Sequence, residues 1–161
     1  MVVLEKGEKI MVDLTKLTTE TRNPKTMDLD TRSALEIATI MNEEDNNVVS
    51  GVKEVLPQVA TAIEWCAEAL QKGARIIYIG AGTSGRLGLL DSVECPPTFG
   101  VSPETVVGLI AGGEGAFIKA VEGAEDKPEL GVTDLKQINC TKDDVVIGLA
   151  ASGRTPYVIG A

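Results

Sequence analysis

Histidine is absent from all 161 residues, which removes the commonest general base and the commonest metal ligand. Any proton transfer must then fall to Glu, Asp, Lys, Tyr, Cys or water. Aromatic residues are only 3% of a chain that is 43% hydrophobic, so the core has to be built from Ala, Val, Ile and Leu, as in sheets covered by helices. Basic residues are outnumbered, 15 Lys and Arg against 24 Asp and Glu, for a net charge of −9. With no run of Lys or Arg, that balance argues against a nucleic-acid partner. No apolar run approaches the length of a bilayer span, and MVVLEKGEKI places charges where a signal peptide needs its hydrophobic stretch. The expectation is a soluble, cytoplasmic protein with no membrane partner. Cys66, Cys95 and Cys140 are odd in number and share no ligand spacing, so they read as reduced thiols.

The most informative stretch runs from Arg75 to Gly100. Ile76, Ile77, Tyr78 and Ile79 form a short β-rich run ending in Gly80-Ala81-Gly82-Thr83-Ser84-Gly85, and Leu87, Leu89, Leu90 and Val93 follow at roughly helical spacing. Strand, glycine loop and helix in that order bring the first amides of a helix onto an anion. The frame recurs: Ile147-Gly148-Leu149-Ala150-Ala151-Ser152-Gly153-Arg154 echoes Ile79-Gly80-Ala81-Gly82-Thr83-Ser84-Gly85-Arg86. Each copy would sit at the carboxyl end of a strand, where open α/β sheets bind their ligands. Two hydroxyl-bearing loops suit a phosphate better than a nicotinamide dinucleotide, which takes one loop and a downstream acid. Dinucleotide binding, with Glu114 on a ribose, and plain turn glycines remain the competing readings.

The rest of the chain frames that stretch. Residues 1–30 are polar and read as an arm; Ser33 and Glu36 have capping-box spacing, and the helix they start should end in the Asn42–Asn47 polar cluster. A second helical segment, 48–72, keeps an apolar stripe through Val52, Val55, Leu56, Val59, Ile63, Cys66 and Leu70, with a kink or break at Pro57 and Gly73 closing it. Trp65 reads as a packing residue at a helix or subunit interface. Cys95-Pro96-Pro97 should stop the helix that follows the first strand, because consecutive prolines remove amide donors. Strands over 105–110 and 144–149, a short helix over 116–121 and another over 130–138 complete an alternating pattern, hence a parallel sheet with right-handed crossovers. Thr155-Pro156 looks like a helix start just before the last residue, Ala161, and the chain reads as a piece truncated after about its third strand.

Together, GAGTSGRLG at 80–88, ECPPTFGV at 94–101, GLIAGGE at 108–114, AVEGAED at 120–126 and ASGRTPYVI at 151–159 resemble the N-terminal part of the N-acetylmuramic acid 6-phosphate etherases. The resemblance covers nearly the whole chain. It implies a three-layer α/β/α sandwich with a flavodoxin-like parallel sheet, the sugar-isomerase (SIS) fold, over residues 51–161, preceded by an N-terminal arm and helix over 1–50. It also implies a homodimer with sites near the subunit interface. The reaction implied is a lyase reaction: elimination of D-lactate from C3 of a phosphorylated amino sugar, then addition of water, in cell-wall recycling, with no metal or organic cofactor.

The family's two catalytic glutamates match Glu94 and Glu125. Glu94 is expected to protonate the departing lactate, under a proline turn whose partial burial would raise its pKa, and Glu125 to be the second acid/base group. Gly82, Thr83, Ser84, Gly85, Ser152, Gly153, Arg154 and Thr155 are the expected phosphosugar contacts. Arg86 and Arg154 could pair with phosphate or form salt bridges. A non-catalytic phosphosugar sensor, similar to the glucokinase regulatory protein, would need the serine loops but neither glutamate. The isolated chain, as half a domain, is expected to be inactive.

Overall fold

The computed structural model describes Thr19 and residues 21–161, and the chain divides into two compact units, residues 1–53 and 54–161. Most of the expected arm lies outside the described residues. In the first unit the Asn23 side chain caps a short turn of 3₁₀ helix, Pro24–Thr26. Asn23 Nδ2 and Lys25 Nζ each donate to Glu44 at 2.7 Å, which ties that turn to the helix α1, Ala34–Glu54. The capping box forms as expected: Ser33 N donates to Glu36 Oε2 at 2.8 Å, and Glu36 N returns a bond to Ser33 Oγ at 3.3 Å.

α1 does not stop in the Asn42–Asn47 cluster. The Asn46 amide folds back onto the carbonyls of Asn42 and Glu43, at 3.1 and 3.3 Å, so these polar side chains decorate the helix instead of competing with it. The break falls at Val55. Pro57 lies in the first turn of α2, Leu56–Gln71, where a missing amide costs nothing, and Gly73 ends that segment at φ +73°.

The second unit is built on three parallel strands, β1 (Ile76–Gly80), β2 (Val106–Ile110) and β3 (Val145–Leu149), in the order β2-β1-β3. Gly80 is in register with Ile110 on one side and Leu149 on the other, so the three carboxyl ends finish level. Side chains alternate along β1. Ile77 and Ile79 are buried on one face, where Ile79 joins Ala111, Ala124 and Tyr157 in the core, with Leu130, Leu135 and Val158 packed against it. Those last residues belong to α4 (Pro128–Gln137) and α5 (Pro156–Gly160). Tyr78 points the other way, against α3 (Gly82–Phe99): a Cβ on Gly88 would come within 2.8 Å of Tyr78 Cβ. Helices on both faces of a parallel sheet give the expected three-layer α/β/α sandwich.

Two further expectations need correction. α3 runs straight through Pro96 and Pro97 to Phe99 and is closed by Gly100 at φ +65°, whose amide bonds Pro96 O at 2.9 Å. The prolines lose only their own two amide bonds, near the helix end where few turns remain to be disrupted, and their fixed φ is helical. The helix expected over 116–121 is a single 3₁₀ turn, Glu114–Phe117. The helix start at Thr155-Pro156 forms as expected, with Thr155 at the N-cap of α5, though without a side-chain capping bond.

At the opposite end of the sheet, Arg75 and Asp144 precede β1 and β3. Asp144, with its side chain 3% exposed, accepts from Arg75 Nη2 at 2.8 Å, from Arg75 N at 2.9 Å and from Thr141 N at 2.8 Å, while Arg75 Nη1 donates to Ile138 O at 3.0 Å. The guanidinium beside Asp144 holds that carboxyl far below the usual carboxylate range.

Candidate functional site

The site begins with a close approach that only glycine permits. A Cβ on Gly85 would lie 2.7 Å from Gly80 O and 2.7 Å from Ile110 Cγ1, and Gly82 opens α3 at φ +55°. The first turn of α3 therefore sits directly on the ends of β1 and β2, with the loop before it drawn over the sheet. Gly85→Ala is expected to cost about 1–3 kcal/mol by overpacking against backbone. A urea midpoint equal to that of the wild type would show that the loop can retreat.

Over these strand ends lies a cleft of about 430 Å³, within the range of small-molecule sites. Gly82, Thr83 and Ser84 line it from the first loop, Ala151 and Thr155 from the second, and Glu122 and Glu125 from the loop before α4. β1 and β3 are neighbours, so the two repeated frames stand side by side at the point where the strand order reverses. Glu125 is half-buried, and its backbone oxygen accepts the amide of buried Tyr157 at 2.9 Å. Tyr157 is fixed in turn by its hydroxyl, which donates to Asp134 at 2.6 Å; burial and that carboxylate push the phenol well above its usual range.

The structure does not bring every expected residue to this cleft. Gly85 lies beneath it. Ser152, Gly153 and Arg154 do not line it, although Ala151 and Thr155 on either side of them do. Arg154 Nε is buried without a hydrogen-bond partner, the only such side-chain atom among the described residues. Arg86 lines the cleft, but its guanidinium is engaged with the protein: Nε donates to Phe117 O and Nη2 to Ala116 O, both at 2.8 Å. Its work is to hold the far wall. Glu94 is exposed on α3 and absent from the cleft lining, with no proline turn above it, so the expected burial does not occur. Glu114, the candidate ribose ligand, borders a different hollow with Leu89, Leu90, Val93 and Phe117. Glu122 was not anticipated; it follows directly from the AVEGAED segment that was.

Among the described residues no group of three or more His, Cys, Asp or Glu could hold a metal ion, and no helix is long and apolar enough to cross a membrane. Cys66, Cys95 and Cys140 are free thiols, and burial pushes each of them up from its ordinary pKa.

Residues 58–161 match the family model described as the glucokinase regulatory protein N-terminal SIS domain. The chain belongs to the SIS-domain family. This SIS-domain chain is 62% identical over 148 residues to the N-acetylmuramic acid 6-phosphate etherase of Halalkalibacterium halodurans, covering 92% of the chain and 50% of that enzyme. It is 57% identical over 149 residues to the enzyme of the same name from Mycolicibacterium smegmatis, again 92% and 50%, and 59% identical over 155 residues to that of Pectobacterium atrosepticum, 96% and 50%. The chain thus spans about half the length of the curated relatives it matches.

Proposed function

We propose that the full-length protein is a carbon–oxygen lyase that cleaves the D-lactyl ether of N-acetylmuramic acid 6-phosphate, giving N-acetylglucosamine 6-phosphate and D-lactate. The observation that carries this reading is the identity to enzymes of that name, 62% and 57% over 92% of the chain. The cleft supports it: helix-start amides and hydroxyls from two βα loops suit a phosphoryl group, and a half-buried carboxylate faces the same space. In the ring-opened sugar the proton on C2 is acidified by the C1 aldehyde. A carboxylate removes it, the C3–oxygen bond breaks, and lactate leaves after taking a proton from a carboxylic acid. Water then adds at C3 of the unsaturated aldehyde, and C2 is reprotonated. Glu94 is assigned as the acid at the leaving oxygen and Glu125 as the second acid/base group; Gly82, Thr83, Ser84, Gly85, Ser152, Gly153, Arg154 and Thr155 are assigned to the phosphosugar. The protein works as a cytoplasmic homodimer.

The test is to give the full-length protein N-acetylmuramic acid 6-phosphate and measure D-lactate. Stoichiometric release is expected. Tight binding of the phosphosugar with no lactate would instead identify a sensor, which needs the loops and not the carboxylates.

A further inference from the structure

The far wall of the cleft differs in chemistry from the two βα loops. Ala111, Ala116, Ala120 and Val121 line it with methyl groups, and Glu122 follows them directly. Ala111 and Ala116 belong to the core, at 5% and 3% exposed, and still border the cleft, so this part of it is an apolar recess. The recess is held in shape from three sides. Arg86 grips the carbonyls of Ala116 and Phe117, Val121 packs so closely on Gly112 that a Cβ there would lie 2.7 Å from Val121 Cβ, and Ala124 is buried in the core. The Glu122 carboxylate has no hydrogen-bond or ion-pair partner among the described residues. Gly123, at φ +75°, then turns the chain so that Glu125 meets the same cleft. A preformed methyl-lined recess with one free acceptor beside it is suited to a group that is apolar at one end and a donor at the other.

From this juxtaposition we infer that the wall recognises the acetamido group of the sugar: the recess takes the acetyl methyl, and Glu122 accepts the amide N–H. The inference rests on the proposed substrate and deepens it by naming the residues that select the group on C2. The other groups of that substrate do not suit the wall. The phosphoryl group is drawn to the amides and hydroxyls at the start of α3, and the carboxylate of the lactyl group is repelled by Glu122 and Glu125 together. The sugar hydroxyls are donors without an apolar end. The acetamido group alone joins an N–H donor to a methyl, and it needs both, because an amide N–H taken from water into a cleft without an acceptor is costly. C2 carries both the acetamido group and the proton that is removed, so a hold on the one fixes the position of the other. Glu122 is thus a binding and positioning residue, distinct in role from Glu125 three residues on.

The test is a pair of binding titrations on the full-length protein with N-acetylglucosamine 6-phosphate and glucosamine 6-phosphate, which differ only at the nitrogen on C2. They are run at about pH 6, where the free amine is an ammonium. Both substituted positions are exposed, so neither change disturbs the core. Ala120→Val narrows the recess and is expected to weaken the acetylated sugar by about tenfold or more, while the amine sugar, which has no methyl to place, stays within about twofold. Glu122→Gln is expected to act the other way round. Its amide oxygen still accepts the acetamido N–H, so the acetylated sugar changes by less than about threefold, whereas the ammonium loses its counter-charge and weakens by about tenfold. Equal changes in both sugars with either variant, no change included, would overturn the inference, and so would a wild type that binds neither sugar. A wild type that shows this crossed pattern yet releases no lactate would sink the proposed reaction and leave the acetamido contact standing.

Discussion

Glu125→Gln is expected to lower kcat for lactate release by roughly 10²- to 10⁴-fold, the usual worth of a general acid or base, with KM for the phosphosugar little changed. The separation of the two constants follows from how the side chain is held. Glu125 is anchored through its backbone, whose oxygen accepts the Tyr157 amide at 2.9 Å, so the amide variant keeps the loop in place and the cleft open. Gln preserves size and hydrogen bonding but cannot exchange a proton. Glu94→Gln should reduce kcat on the same scale, because no histidine is available to take over. Steady-state assays of D-lactate decide the point. Near-normal kcat with a raised KM would turn Glu125 from a proton-transfer group into one that only binds.

The second large effect concerns stability. Asp144→Ala is expected to destabilise the second unit by about 3–5 kcal/mol, since it strands the Arg75 guanidinium among carbonyls with its counter-charge removed. Its pH dependence has a definite sign. The folded-state pKa of Asp144 is depressed below its unfolded value, so the contribution is fully present above about pH 4, the ordinary carboxylate value, and is lost as pH falls further toward the folded one. The wild type should therefore lose stability in acid faster than the Ala variant, and the two curves should converge at low pH. Urea melts between neutral pH and pH 2 test this; parallel curves would mean that Asp144 carries no such linkage.

Much of the sandwich is legible in the order of residues because its signals are local. The apolar runs at 76–79, 105–110 and 144–149 are each followed by small residues, and the matched frames at Gly80 and Gly148 mark where β1 and β3 end. What failed depends on context. Pro96 and Pro97 forbid two amide bonds, but whether a helix stops there depends on how much of it remains beyond them, and two residues remain. The Asn42–Asn47 run reads as a breaker because those side chains can compete for backbone groups; in α1 the Asn46 amide bonds back onto carbonyls of the same helix. The Arg75–Asp144 pair was invisible because 69 residues separate its members and only the β1–β3 pairing makes them neighbours. The burial expected for Glu94 failed for the same reason: a turn at Cys95 would have covered it, whereas a continuous α3 leaves it exposed.

The grip of Arg86 on Ala116 and Phe117 has a mechanical outcome. Arg86 sits one residue past Gly85 and reaches across to two carbonyls of the opposite wall, so the first loop and the 3₁₀ turn beside it are braced against each other. The two walls of the cleft are stapled to each other by a single side chain, and Arg86→Ala removes both of those bonds at once.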